Sequence, residues 1–112
     1  MSTSTFERIV LTIGILFALA FAIIVVPPLA KSGDILGAFA AGFVNPFASG
    51  YSLDVILCAL ILFVWIFYER QSRGIRHGWI AIPLSFVPGV ATGFAVYLVL
   101  RSRQLDREQA VV

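Results

Sequence analysis

The chain has 112 residues, of which 60% are apolar and only 12% charged, against roughly 25% charged residues in an ordinary soluble domain. A soluble fold of this length could not bury that much apolar surface, so the composition points to lipid as its solvent. The formal charge of +2 arises from eight basic and six acidic residues; the basic ones lie outside the apolar runs or at their edges, which leaves no basic face for nucleic acid and matches the flanks of membrane helices.

Residues 9 to 30 form the first uncharged, mostly apolar run. As a helix it extends about 33 Å, enough to cross a hydrocarbon core of about 30 Å. Ser4 and Glu7 stand at capping-box spacing just ahead of it, and Pro27 and Pro28 are expected to end or bend it. Arg8 and the triplet Ala18-Leu19-Ala20 superficially resemble a cleavable signal, but the apolar run continues past them, so the segment is read as an uncleaved first span.

Residues 31 to 51 break the pattern. Lys31-Ser32-Gly33-Asp34 is polar, and Asn45-Pro46 and Ser49-Gly50 are turn signals. The mildly apolar stretch 35–44 is too short to span and is expected to form an interfacial or bundle-capping helix. The second span is placed at 52–68, with Ser52 as its N-cap. A polar hinge follows over 69–78, and a third span is placed at 79–100, carrying Pro83 and Pro88. The polar tail from Arg101 leaves the membrane. No internal repeat is visible, so the inverted-repeat signature of many transporters is missing.

The expected fold is therefore a single all-α membrane domain with three transmembrane helices and a short interfacial helix or loop between the first and second. Three crossings put the amino terminus and the 69–78 hinge on one side, with the 31–51 loop and the carboxyl tail on the other. Arg8, Arg70, Arg73 and Arg76 then stand against Lys31, Arg101, Arg103 and Arg107. The near-tie leans toward a cytoplasmic amino terminus.

On the second span Asp54, Cys58, Trp65 and Glu69 fall on one face. On the third, Ser85, Gly89, Thr92 and Val96 make a small or weakly polar stripe, and on the first Gly14, Ala18 and Ala22 repeat at small-xxx-small spacing. Such stripes pack helices within one chain more often than they join copies. Asp54 is the one acid inside an apolar run. It suits the first turn of a helix, and three antiparallel crossings would bring Arg101 or Arg103 to the same membrane face, so an Asp54–Arg101 pair is expected. His77 stands alone, with no second ligand at metal spacing, and reads as an interfacial histidine. Trp79 and Tyr68 toward one side, Tyr51 and Tyr97 toward the other, resemble an aromatic belt. Cys58 has no partner for an intrachain disulfide and reads as an inert small residue.

From Asn45 to Arg103 the chain resembles a family of uncharacterised bacterial three-helix membrane proteins of about this length. The resemblance rests on Asp54 opening a helix, Glu69 closing it, Arg73-Gly74 in the hinge, then Trp79, Gly89 and Arg101. Two positions depart from the pattern: the family usually carries a tryptophan two residues before Trp65 and a proline where Ala95 stands. The resemblance implies a bacterial inner-membrane location and marks Asp54, Glu69, Arg73, Trp79, Gly89 and Arg101 as contact candidates; the family has no assigned activity. No catalytic motif, metal set or cofactor motif is present. Small three-helix lycopene cyclase subunits are of similar size, but their acidic motif is absent here. The leading expectation is a non-catalytic accessory or assembly subunit, partnered by lipid and by other membrane subunits or its own copies. The alternatives are a small homo-oligomeric transporter or channel, and a membrane enzyme subunit acting on a lipophilic substrate.

Overall fold

A computed structural model describes residues 2–111, and among them the regular structure is helical throughout. Helix α1 (Thr3–Ile24) starts nearly two turns before the apolar run. Its N-cap is Ser2, whose hydroxyl accepts from the Thr5 N–H at 3.2 Å; the Ser4–Glu7 capping box does not form, because Ser4 is already inside the helix. Neither Pro27 nor Pro28 can donate a backbone hydrogen bond, so the ladder is interrupted at Ile24 and resumes as α2 (Val26–Ser32). The prolines interrupt the rod without ending it: Val25 still donates to Phe21 and Leu29 to Val25. Gly33, at φ +63°, closes α2.

The 35–44 stretch does fold as a short helix, α3 (Ile35–Ala40), capped by Asp34 and followed by one tight turn over Ala41–Phe43. Helix α4 (Pro46–Ser72) is longer than expected at both ends. Asn45 is its N-cap, accepting from the Ala48 N–H at 2.7 Å, and Pro46 occupies the first turn, where no N–H is needed. Ser52 is therefore not a cap; its hydroxyl donates to the Gly42 carbonyl at 2.8 Å and ties α4 to the preceding turn. The rod Thr3–Ser32 and helix α4 are the two helices long and apolar enough to be candidate membrane spans.

The largest departure is in the final apolar run. Residues 79–100 are not one helix. A tight turn (Gly78–Ile80) leads into α5 (Ala81–Phe86), the chain breaks at 87–89, and α6 (Val90–Val111) follows. Val87 precedes a proline and takes extended backbone, φ −141°, ψ 117°. The chain then doubles back, so that α5 and α6 lie antiparallel against each other. The approach is close because Gly93 has no side chain: a Cβ there would touch Ser85 Oγ and come within 2.7 Å of the Ala81 carbonyl oxygen.

Helix α6 is the organising element. Its broadest interfaces are with α1 and α5, it meets α4 more sparingly, and α1 and α4 share no extended contact. Gly14 lets α1 approach α6, since a Cβ there would lie 2.7 Å from that of Ala95, and Thr92 donates to the Gly14 carbonyl at 2.7 Å. Gly89, at the hairpin tip, packs under the Phe17 ring. Gly14, Gly89 and Thr92 of the small-residue stripes thus serve packing within the chain, whereas Ala22 is exposed. The buried core, formed by Leu62, Ile66, Ile75, Ala81 and Tyr97, sits at the end where α4 passes into the hairpin.

Candidate functional site

Two constellations stand out, one at each level of the molecule. The first is built on Glu69, in the last turn of α4. Its side chain is 2% exposed. One carboxylate oxygen, Oε1, accepts from the Tyr97 hydroxyl at 2.8 Å and from Arg101 Nε at 2.6 Å, while Arg73 Nε lies 3.6 Å from Oε2. The Arg101 guanidinium lies 5.6 Å from the Trp65 ring centre, and Trp65 meets Tyr97 edge-on at 5.3 Å. A charge removed from water needs both a counter-charge and hydrogen bonds to be tolerated; Glu69 has both. Gly78 makes the arrangement possible, because a Cβ there would come within 2.6 Å of the Tyr97 ring.

A second polar tie lies just outside this cluster. Gly74, at φ +67°, turns the chain after α4. Its carbonyl accepts from Gln104 Nε2 at 2.7 Å, while Gln104 Oε1 receives the Arg76 N–H at 3.0 Å. Arg103 Nε reaches Glu7 at 3.4 Å. Helix starts and ends that three crossings would have kept apart therefore meet: Arg101, Arg103 and Gln104 lie beside Glu69, Glu7 and Gly74. The expected division of basic residues into two groups of four is corrected. Seven arginines and four acids gather at one end, leaving Lys31, Asp34 and Asp54 in the rest of the molecule.

The expected Asp54–Arg101 pair is likewise overturned. Because the last segment turns back at its midpoint, Arg101 returns to the end of α4 and not to its beginning. Asp54 is exposed, and among the described residues it takes part in no side-chain hydrogen bond or ion pair. It lines the second constellation, an open cleft of about 400 Å³ between α1, α4 and α6, whose other walls include Val10, Ile13, Cys58, Val90, Phe94 and Leu98. A neighbouring apolar hollow of about 560 Å³ lies past the hairpin tip, walled by Phe17, Phe21, Phe39, Phe63 and Phe86. The two share Val55, Val90 and Ala91.

Of the sequence-marked residues, Glu69, Arg73 and Arg101 converge. Trp79 stays 56% exposed on the hairpin's first turn, Gly89 forms the tip, and Asp54 stands apart. Tyr97 is not part of a surface belt; it is fully buried against Glu69. Gln104 escaped the sequence reading, and Tyr97 was assigned to the belt instead of to Glu69. The signal for Tyr97 was its place among weakly polar positions of one helix, but its partner depended on where that helix turned. His77 faces a shallow surface with Glu7, Arg103, Asp106 and Arg107, and no cluster of metal-ligating side chains occurs among the described residues.

The family described as protein of unknown function DUF2834 matches residues 9–103, and the chain belongs to it. The match takes in α1 as well as the stretch from Asn45 onward. Neither a curated protein nor a solved structure matches the chain.

Proposed function

We propose that this is an integral membrane protein of the bacterial inner membrane that acts as a non-catalytic accessory or assembly subunit. In this reading α1–α2 and α4 cross the bilayer, and α5 with the first part of α6 forms a hairpin that enters and leaves by the same face. The depth supports it: Gly89 packs on Phe17, nine residues from Arg8, which is about 14 Å along α1 and near the middle of a core about 30 Å thick. A chain reversal in lipid requires satisfied backbone groups. At the tip, Val87 donates to Pro83, Gly89 donates to Leu84, and Pro88 has no N–H to satisfy. The concentration of arginine at one end argues that this end is cytoplasmic. Amino terminus, hinge and carboxyl tail then share that side, and the 33–45 segment lies at the opposite interface.

The observation that carries the accessory role is the separation of the two spans. They are joined through α6 at the arginine end, yet beyond the hairpin tip they make no extended contact. Ile23, Ile24, Leu53, Ile61 and Val64 are left facing outward, and uncovered walls of this kind suit the helices of another subunit. Purification in mild detergent should yield a stoichiometric membrane partner, and photo-crosslinkers at Ile24 and Leu53 should capture it while one at Leu62, buried in the core, does not. A monodisperse monomer with no crosslinks at either position would overturn the role. Topology is tested separately by single cysteines in a Cys58→Ala background. Cysteines replacing Ser2, Ser72 and Ser102 should react with an impermeant maleimide from one side, and one replacing Ser49 from the other. The alternative of a small transporter is favoured by one feature, the unpaired Asp54.

A further inference from the structure

We infer that the cleft between α1, α4 and α6 is a binding site for a lipophilic organic cation, with Asp54 as its counter-charge. The inference rests on the two-crossing reading above and goes beyond the accessory role. Fifteen residues separate Asp54 from Glu69, about 22 Å along α4. A hydrocarbon core of about 30 Å that begins near Glu69 ends about 8 Å beyond Asp54. The carboxylate therefore stands within the lipid zone, where ionisable groups are paired or belong to a ligand or ion path.

Among the described residues no basic side chain lies at that depth. All seven arginines are at the opposite end of α4. Lys31 lies twenty-three residues past Arg8, about 34 Å along the α1–α2 rod and so about 12 Å further out than Asp54. A second copy inserted in the same direction would place its basic residues at these same depths. A copy inserted the other way would set its arginine-rich end against the orientation that charge favours. A counter-charge for the carboxylate at that depth would come from another molecule.

The shape and lining of the cleft say what kind of molecule. Its volume, about 400 Å³, is that of a small-molecule site, and apolar walls with a single polar group are the usual composition of such sites. Val10, Val90 and Leu98 offer aliphatic contact, and the Phe94 ring offers a face that attracts cations. A cation whose charge is spread inside an apolar shell reaches this depth at low desolvation cost and meets all of these features at once. A hydrated metal ion or a polar amine meets only the carboxylate.

The test uses the full chain in nanodiscs of zwitterionic phosphatidylcholine with radiolabelled tetraphenylphosphonium as the probe. Saturable binding is expected. Asp54→Asn should weaken it about tenfold or more, the loss of one ion pair in hydrocarbon being worth at least about 1.4 kcal/mol. Asp54→Glu should retain it, and Asp34→Asn, outside the cleft, should leave it unchanged. Ala91→Leu, which fills the cleft while keeping the carboxylate, should also weaken it. Absence of saturable binding, or equal binding by Asp54→Asn, overturns the site. The maleimide pattern at cysteines replacing Ser2 and Ser102, read in sealed membrane vesicles, shows whether the two-crossing topology falls with it or stands without it.

Discussion

The two halves of this molecule solve the problem of a small membrane fold differently. At the arginine end the helices are knitted by polar groups: Glu69 with Tyr97, Arg101 and Arg73, and Gln104 with Gly74 and Arg76. Close helix contacts at Gly78 and Gly93 complete the packing. In the other half the spans make no extended contact with each other, the walls are apolar, and the one charged side chain in them has no partner among the described residues. Lipid gives apolar helices no reason to associate, so directional bonds and close backbone approach must supply it. Where this chain has them, it is a bundle; where it lacks them, it is open.

Removing a bond from the knitted half should therefore cost far more than a similar change in the open half. Glu69→Ala leaves the Tyr97 hydroxyl and the Arg101 guanidinium without their acceptor, and a loss of about 3–5 kcal/mol is expected. Thermal unfolding in mild detergent reads it, with Asp54→Ala as the counterpart expected to move the midpoint little. Equal losses at the two sites would erase the contrast. A double-mutant cycle of Glu69→Gln with Arg101→Gln should be non-additive by about 1 kcal/mol or more.

Glycine substitutions probe the same contrast through packing. Gly93→Ala forces a Cβ against the Ala81 carbonyl and the Ser85 backbone, which cannot yield as a flexible side chain would. A cost of about 1–3 kcal/mol is expected. Gly50, in the open half, has nothing within 4 Å of the added Cβ. Gly50→Ala should instead stabilise α4 by up to about 1 kcal/mol through helix propensity. Opposite signs in one melting assay support the division, whereas stabilisation by Gly93→Ala would refute the close hairpin.

A finer cut separates buried from exposed bonds within the knitted half. Thr92→Val removes the donor to the Gly14 carbonyl while keeping the shape, for a loss of about 1 kcal/mol. The Arg103–Glu7 contact is exposed at the arginine, so Arg103→Gln should cost at most about 1 kcal/mol, and less in high salt. A large, salt-insensitive loss at Arg103 would mean that this contact is shielded from water.

Much of the secondary structure was legible because its causes are local. Residues 9–30 and the apolar heart of α4 announce themselves by length and hydropathy, and the short α3 by the lack of enough apolar residues to span. Asn45-Pro46, which reads as a turn signal, is instead the start of α4: an amide cap followed by a proline that needs no N–H. The candidate site was half legible. Glu69, Arg73 and Arg101 stood out as charged residues flanking apolar runs, but their grouping did not, since Arg101 was matched to Asp54 on the assumption that 79–100 runs straight.

The sequence by itself determined that the chain is apolar and helical and that charge sits at the ends of its apolar runs; of the three spans read from it, the structure keeps two as long apolar rods. Only the tertiary structure decided that the last apolar run folds back on itself. Twenty-two apolar residues serve equally well as one crossing or as two short legs of a hairpin, because hydropathy counts residues and is blind to direction. The choice lies in contacts between residues far apart in the chain: Gly93 against Ala81 and Ser85, Gly89 under Phe17, Tyr97 against Gly78. That one reversal moved three arginines to the other end of the molecule, gave Glu69 its partners, and left Asp54 with none.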